Sequence, residues 1–252
     1  MNIATINASN DCLTLKDGQS VNPKFVPVGR AVTAAGVLST VTSQSQEDVF
    51  LKALFLEVGA GVVNDLRIGN QSLNCSDSPI DTSLFVSNQQ RKNVIGVAVN
   101  GNIQMSIDVT TDANSVLSGA FSCEAIQTAP SISAQCNAIN KFFGLGSVAI
   151  AAGAAGQLTA QALRNTTLKD LVLSCHNEAA TGNIDVTDIT IKGRSIFSGQ
   201  AGDVVSLATL QSTTQAFMIG INTPIETNER VTISLFNNDA AAQTIGGGLY
   251  CD

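Results

Sequence analysis

The sequence predicts an all-β chain made of two tandem, homologous, eight-stranded antiparallel β-sandwiches. Three observations carry this. The chain repeats itself, its apolar residues alternate with a period of two, and its composition is that of strands and turns. The stretch opened by Lys24-Phe25 and the stretch opened by Lys141-Phe142 align without a gap over 33 positions. They share 12 of those 33, including Gly29/Gly146, Ala34-Ala35-Gly36/Ala151-Ala152-Gly153, Leu51-Lys52/Leu168-Lys169, Leu54/Leu171 and Leu56/Leu173. A long internal repeat sets the architecture before any local motif does.

The repeat continues as a series of shifts. The first block is displaced by 117 (Lys24 to Lys141) and Asp65-Leu66-Arg67-Ile68 by 123 (Asp65 to Asp188). Ile95-Gly96-Val97 matches Ile219-Gly220-Ile221 at 124, and Ile103, Met105, Ile107 and Cys123 match Val231, Ile233, Leu235 and Cys251 at 128. The second copy is therefore expected to carry insertions near 176–183 and 223–230, both polar and turn-like, as surface loops tolerate. The organisation that follows is an arm at 1–23, a first sandwich at 24–124, a linker at 125–140 and a second sandwich at 141–252.

In the first copy the expected strands run 26–33, 36–43, 50–58, 62–68, 83–87, 94–99, 103–109 and 116–123, each with alternating apolar residues or bounded by turn residues. Asn100-Gly101 reads as a two-residue type I′ hairpin, which needs positive φ at both positions. In the second copy the clearest strands are 171–173, 184–186, 189–191, 204–207, 217–221, 231–235 and 247–251. No stretch reads as an amphipathic helix. The segment 142–163 is uncharged and long enough to span a bilayer. Its Gly, Ala, Ser, Thr and Gln content, and its repeat partner carrying Arg30, assign it to strands instead. The arm carries Ile3, Ile6, Leu13 and Leu15, so it is expected to pack on a neighbouring subunit or on the linker.

Composition narrows the function. Charged residues are 13% and aromatics 4%, and net charge is −7 with no clustered basic run. A nucleic-acid surface needs such a cluster, so direct, sequence-specific nucleic-acid binding is not expected. Met1-Asn2-Ile3-Ala4 lacks the basic and apolar regions of a secretory signal. Asn-x-Ser/Thr triplets at Asn7, Asn70, Asn74 and Asn165 are ordinary for so polar a chain. The cysteines at 12, 75, 123, 136, 175 and 251 have no metal-site spacing. Reduced thiols are expected, with Cys123 and Cys251 buried and unpaired in the closing strands.

No catalytic, cofactor or metal residues are assigned. His176, the single histidine, sits beside Asn177 and Glu178 and reads as a solvated loop residue, where a triad would need it. Asp77 and Asp81 flank Pro79, and Glu226, Glu229 and Asp239 form a second acidic group. Paired carboxylates can serve glycoside hydrolysis or hold calcium; here they read as exposed loop acids. Gly246-Gly247-Gly248 reads as a bulge or a close backbone approach.

A duplicated β-sandwich without a site resembles the double jelly-roll major capsid proteins of icosahedral viruses, including bacteriophages with an internal membrane. The resemblance covers 24–252 and rests on architecture and duplication. It implies a non-enzymatic virion protein made in the host cytoplasm. It also implies homotrimers that form pseudo-hexameric capsomers and tile a shell. Its partners would be itself, other virion proteins and a membrane beneath the shell, with no cofactor. The alternative is a secreted tandem β-sandwich carbohydrate-binding module or adhesin.

Overall fold

Alternating apolar residues make strands when every second side chain can be buried, and β8 (Gln104–Thr111) and β17 (Arg230–Asn237) show the same exposed-then-alternating burial along all eight residues. The computed structural model describes residues 21–85, 94–126, 142–196, 204–210 and 219–251. The arm up to residue 20, residues 127–140 of the expected linker, Cys12 and Cys136, Asn7, and the ends of the expected strands at 86–87 and 217–218 lie outside them; Ala125 and Ile126, expected in the linker, belong instead to the strand Ser115–Ile126.

In the first repeat, β1 (Val21–Thr33), β9 (Ser115–Ile126), β3 (Val49–Glu57) and β7 (Val94–Val99) form one sheet in that order. β2 (Leu38–Gln44), β8, β4 (Gly61–Ile68) and β5 (Gln71–Ser72) form the other, with β6 (Ile80–Asp81) on β4. The second repeat has β10 (Phe142–Ile150), β18 (Gln243–Cys251), β12 (Thr166–Cys175) and β16 (Ile219–Ile225) in one sheet. Its other sheet is β11 (Ala155–Gln161), β17, β13 (Ile184–Ile191) and β14 (Arg194–Ser195), with β15 (Val205–Ser206) on β13. Each repeat has a four-stranded and a five-stranded sheet, the two-sheet order of a jelly roll with one two-residue strand, β5 or β14, added to its eight. The fold class expected from sequence is therefore the one observed, and 142–163 is strand and turn.

Register shows how closely the repeats agree. Leu51 faces Cys123 and Leu54 faces Phe121; in the second repeat Leu168 faces Cys251 and Leu171 faces Leu249. A bulge falls at the shared lysine in both, between Leu51 and Ala53 and between Leu168 and Asp170. A second shared bulge falls between Pro27 and Gly29 and between Gly144 and Gly146. The glycine after it sits at φ +93 and +71, a region closed to most L residues. The repeated Ala-Ala-Gly makes a tight turn closed by Val37 N–H→Ala34 O (3.0 Å) and Ala154 N–H→Ala151 O (3.1 Å). Gly36 and Gly153 take the positive φ such a turn requires at its third position.

Several expectations are corrected. Val49 pairs with Val99 as Thr166 pairs with Ile225, so this strand is shifted by 126 (Val99 to Ile225), not 124. Val41 pairs with Ile107 as Leu158 pairs with Ile233, so the next strand is also shifted by 126 (Ile107 to Ile233), not 128. A two-residue slip leaves every side chain on its own face, so the apolar pattern cannot detect it. The insertion expected at 223–230 is absent: the connections at 100–103 and 226–229 have equal length, and the turn before β18 is the longer one. The Asn100-Gly101 turn is not type I′. It closes by Ile103 N–H→Asn100 O, and Asn102 takes the positive φ, as Asn228 does in the equivalent turn. The strand expected at 83–87 is instead a 3₁₀ turn at Thr82–Leu84 preceded by β6. That expected at 204–207 is β15 followed by α1 (Leu207–Leu210). The two-residue strands β5 and β14 had no sequence signal, and β1 takes in Val21, Asn22 and Pro23 from the arm.

The described chain divides into two units. The first holds 21–59, 65–73, 85 and 94–126; the second holds 60–64, 74–84 and the described residues from 142 onward. Each has its own apolar core. In the first, Leu51, Leu54, Leu66, Ile107, Val109 and Phe121 are fully buried. In the second, Phe143, Leu168, Ile184, Ile189, Ile233 and Leu249 are. No helix among the described residues is long and apolar enough to cross a membrane.

Candidate functional site

The densest polar arrangement lies in the second unit, where residues 74–84 form a strap over β10, β18 and β12. The strap begins with isolated β-bridges, Asn74 to Phe142 and Ser76 to Ala162. Cys75 N–H donates to Phe142 O (2.8 Å), Leu163 N–H donates to Cys75 O (2.9 Å), and Asp77 N–H donates to Gln161 O (3.0 Å). Asn74 is buried, and its Oδ1 accepts from Gly144 N–H (3.1 Å) and from the Ser76 hydroxyl (3.0 Å). It cannot serve as a glycan acceptor in this state.

Glycines let the strap lie flat. A Cβ at Gly144 would stand 2.3 Å from Pro79 O, and one at Gly246 would stand 1.7 Å from Asp81 Oδ2. One at Gly248 would stand 3.1 Å from a Leu84 methyl. Gly246-Gly247-Gly248 is thus a close-approach element, with Gly247 turned to Leu173 and the core. Opposite β12, β18 runs in continuous register from Gly246 to Gly248, without a bulge.

Asp81, expected to be an exposed loop acid, is 0% exposed. Its Oδ1 accepts from Ser83 N–H (2.9 Å) and from the Ser174 hydroxyl (3.0 Å), and its Oδ2 lies 2.9 Å from His176 Nε2. The Ser83 hydroxyl donates to Ser174 Oγ (2.8 Å). His176 is therefore not a free loop residue: its side chain is 12% exposed and held on the strap. Sequence reasoning missed this pair because its members are 95 positions apart.

Serine, histidine and aspartate meet here without forming a hydrolytic triad. In a triad the serine bonds the histidine nitrogen remote from the aspartate; here serine and histidine both bind the carboxylate. Three donors satisfy a buried acid, which is what burial of such a group demands. Cys175 adjoins His176, and burial pushes its thiol up, partly offset by the Asn177 N–H. A raised thiol is a poor nucleophile at neutral pH.

The other acids work locally. Asp77 Oδ1 accepts from Gln161 N–H (2.7 Å), so Asp77 and Asp81 hold different strands. Glu229 Oε2 accepts from Glu226 N–H (2.6 Å) and pairs with Lys192 (3.0 Å). Both contacts, the Glu226 N–H first, lower its carboxyl below the ordinary range. Asp239 accepts from the Gln243 amide (2.9 Å) in the turn before β18. Among the described residues no group of three or more His, Cys, Asp or Glu could hold a metal ion.

The four described cysteines, 75, 123, 175 and 251, are buried and form no disulfide among the described residues. Cys251 is not isolated from other thiols, however: its sulfur lies 3.1 Å from that of Cys75 on the strap.

No family model and no curated protein matches the chain. Among solved structures it is similar to the major capsid protein P2 from bacteriophage PM2, with a TM-score of 0.35 and 10% identity over 92% of this chain and 98% of that one.

Proposed function

We propose that this chain is a non-enzymatic structural subunit: a major capsid protein of an icosahedral virion, whose homotrimers form pseudo-hexameric tiles. The carrying observation is the duplicated jelly roll itself, with strand order and two β-bulges kept at equivalent positions in both repeats. A chain with two like bodies offers two sets of like edges, so three chains approximate a hexagon. Closed rings from repeated head-to-tail contacts follow when the rotation closes. The polar cluster at Asp81 supports the same reading, because its groups are used in holding the strap.

Electron microscopy of the expressed protein is the test. Hexagonal tiles or closed shells are expected. A dispersed protein that forms neither, and that binds a sugar on a glycan array, would replace this reading with the carbohydrate-binding one.

A further inference from the structure

The two repeats carry the same outward sheet face, and among the described residues only one of them is covered. In the second unit this face comprises Phe142, Val172, Ser174, Gly246, Gly248 and Tyr250. Phe142 is 0% and Val172 4% exposed, because the strap 74–84 lies over them. The first-repeat equivalents of Phe142 and Val172 are Phe25 and Phe55, at 70% and 39% exposed. Pairing fixes the correspondence: Phe25 faces Ser122 as Phe142 faces Tyr250, and Phe55 faces Ala120 as Val172 faces Gly248. Two large aromatic rings on one sheet face, with Pro27, Ala53 and Ala120 among them, form an apolar patch that calls for a partner.

The repeat also identifies the counterpart of the strap. Asp81 pairs with Val62 and Ile80 with Val63; Ser206 pairs with Asp185 and Val205 with Val186. Since Val62 and Asp185 are repeat equivalents, β15 is the equivalent of β6, and α1 follows it as the 3₁₀ turn follows β6. Ile80 is fully buried, whereas Val205 and Ser206 are partly exposed and Val204 is 48% exposed. Side-chain sizes exchange in the matching sense. The second-repeat face has Gly246 beneath the large Asp81; the first-repeat face has Ser118 where the strap equivalent is the smaller Ser206.

We propose that the Phe25/Phe55 face of the first repeat is covered by the β15–α1 connection of a second copy of this chain. The contact repeats between chains what 74–84 does within one. It is heterologous, since each chain gives a connection and receives one, and such contacts propagate into a ring. The proposal rests on the self-assembling reading above and names the residues that make the contact.

The test mixes two single variants, Ser118→Cys and Ser206→Cys, under mild oxidation by a disulfide reagent, with the wild type as control for the native thiols. A cross-linked two-chain species is expected in the mixture and not in either variant alone. In the double variant, a bond closed within one chain would overturn the proposal. So would wild-type association without any bond in the mixture. A second arm replaces Phe25 and Phe55 by Asp. The mass should fall to that of a single chain while the β circular-dichroism spectrum is kept; an unchanged oligomer would refute the contact. The two readings fail separately. A wild type that stays single at high concentration removes the capsid reading, whereas a trimer lacking the Ser118–Ser206 bond removes only this interface.

Discussion

Gly246 is a residue at which the second unit has no room for a side chain. The site of its missing Cβ is taken by the carboxylate of Asp81, a residue of the strap that lies over it. Gly246→Ala must lift the strap or break the cluster, so a loss of about 3 kcal/mol is expected in urea unfolding. Ser118→Ala, at the repeat-equivalent position, should lie within about 0.5 kcal/mol of wild type. Asp81→Ala removes the buried carboxylate that Ser174 and His176 both bind and should cost about 3 kcal/mol. If His176 is merely attached to a loop, His176→Ala will be silent; the structure instead predicts a measurable loss in the same assay. Little of this was legible in the sequence. The triple glycine stood out and its close-approach role was a fair inference, but its partners come from 74–84, and no local pattern links positions so far apart.

At the scale of elements, the clearest duplicated device is the hairpin of β4 with β5 and of β13 with β14. The Ser72 hydroxyl donates to Asp65 (2.7 Å), and Ser195 donates to Asp188 (2.5 Å) at the equivalent positions. The third partner has diverged from Arg67 to Thr190. The Ser195 hydroxyl, helped by Thr190 and the Ile189 N–H, holds the Asp188 carboxyl below its ordinary 3.8, against the opposing effect of burial, which ranks second to Ser195. A lowered pKa gives stability that is complete above 3.8 and is lost as the pH falls through the folded value. The melting temperature of Asp188→Asn should therefore lie below wild type at pH 7, and the gap should close below pH 3.8. A gap that is constant with pH would show that the carboxylate charge plays no part. Long alternating strands such as β8 and β17 were readable, because burial of every second residue writes itself into the sequence. β5 and β14 were not, being too short to alternate. The true shifts of β16 and β17 were hidden because a slip of two keeps the same face buried.

For the whole molecule, the duplication was the most legible feature, since gene-scale repetition survives where single contacts do not. It gave the fold class and the equivalence of Leu54 with Leu171 and Cys123 with Cys251. It did not reveal that 74–84 belongs to the second unit, which depends on packing alone. The central claim is that the chain closes into trimers through faces the two repeats share. Multi-angle light scattering on the purified chain, run over a range of concentrations, tests it most directly. A stable species of three times the 26.0 kDa chain mass is predicted. A single-chain mass that persists at high concentration would contradict it.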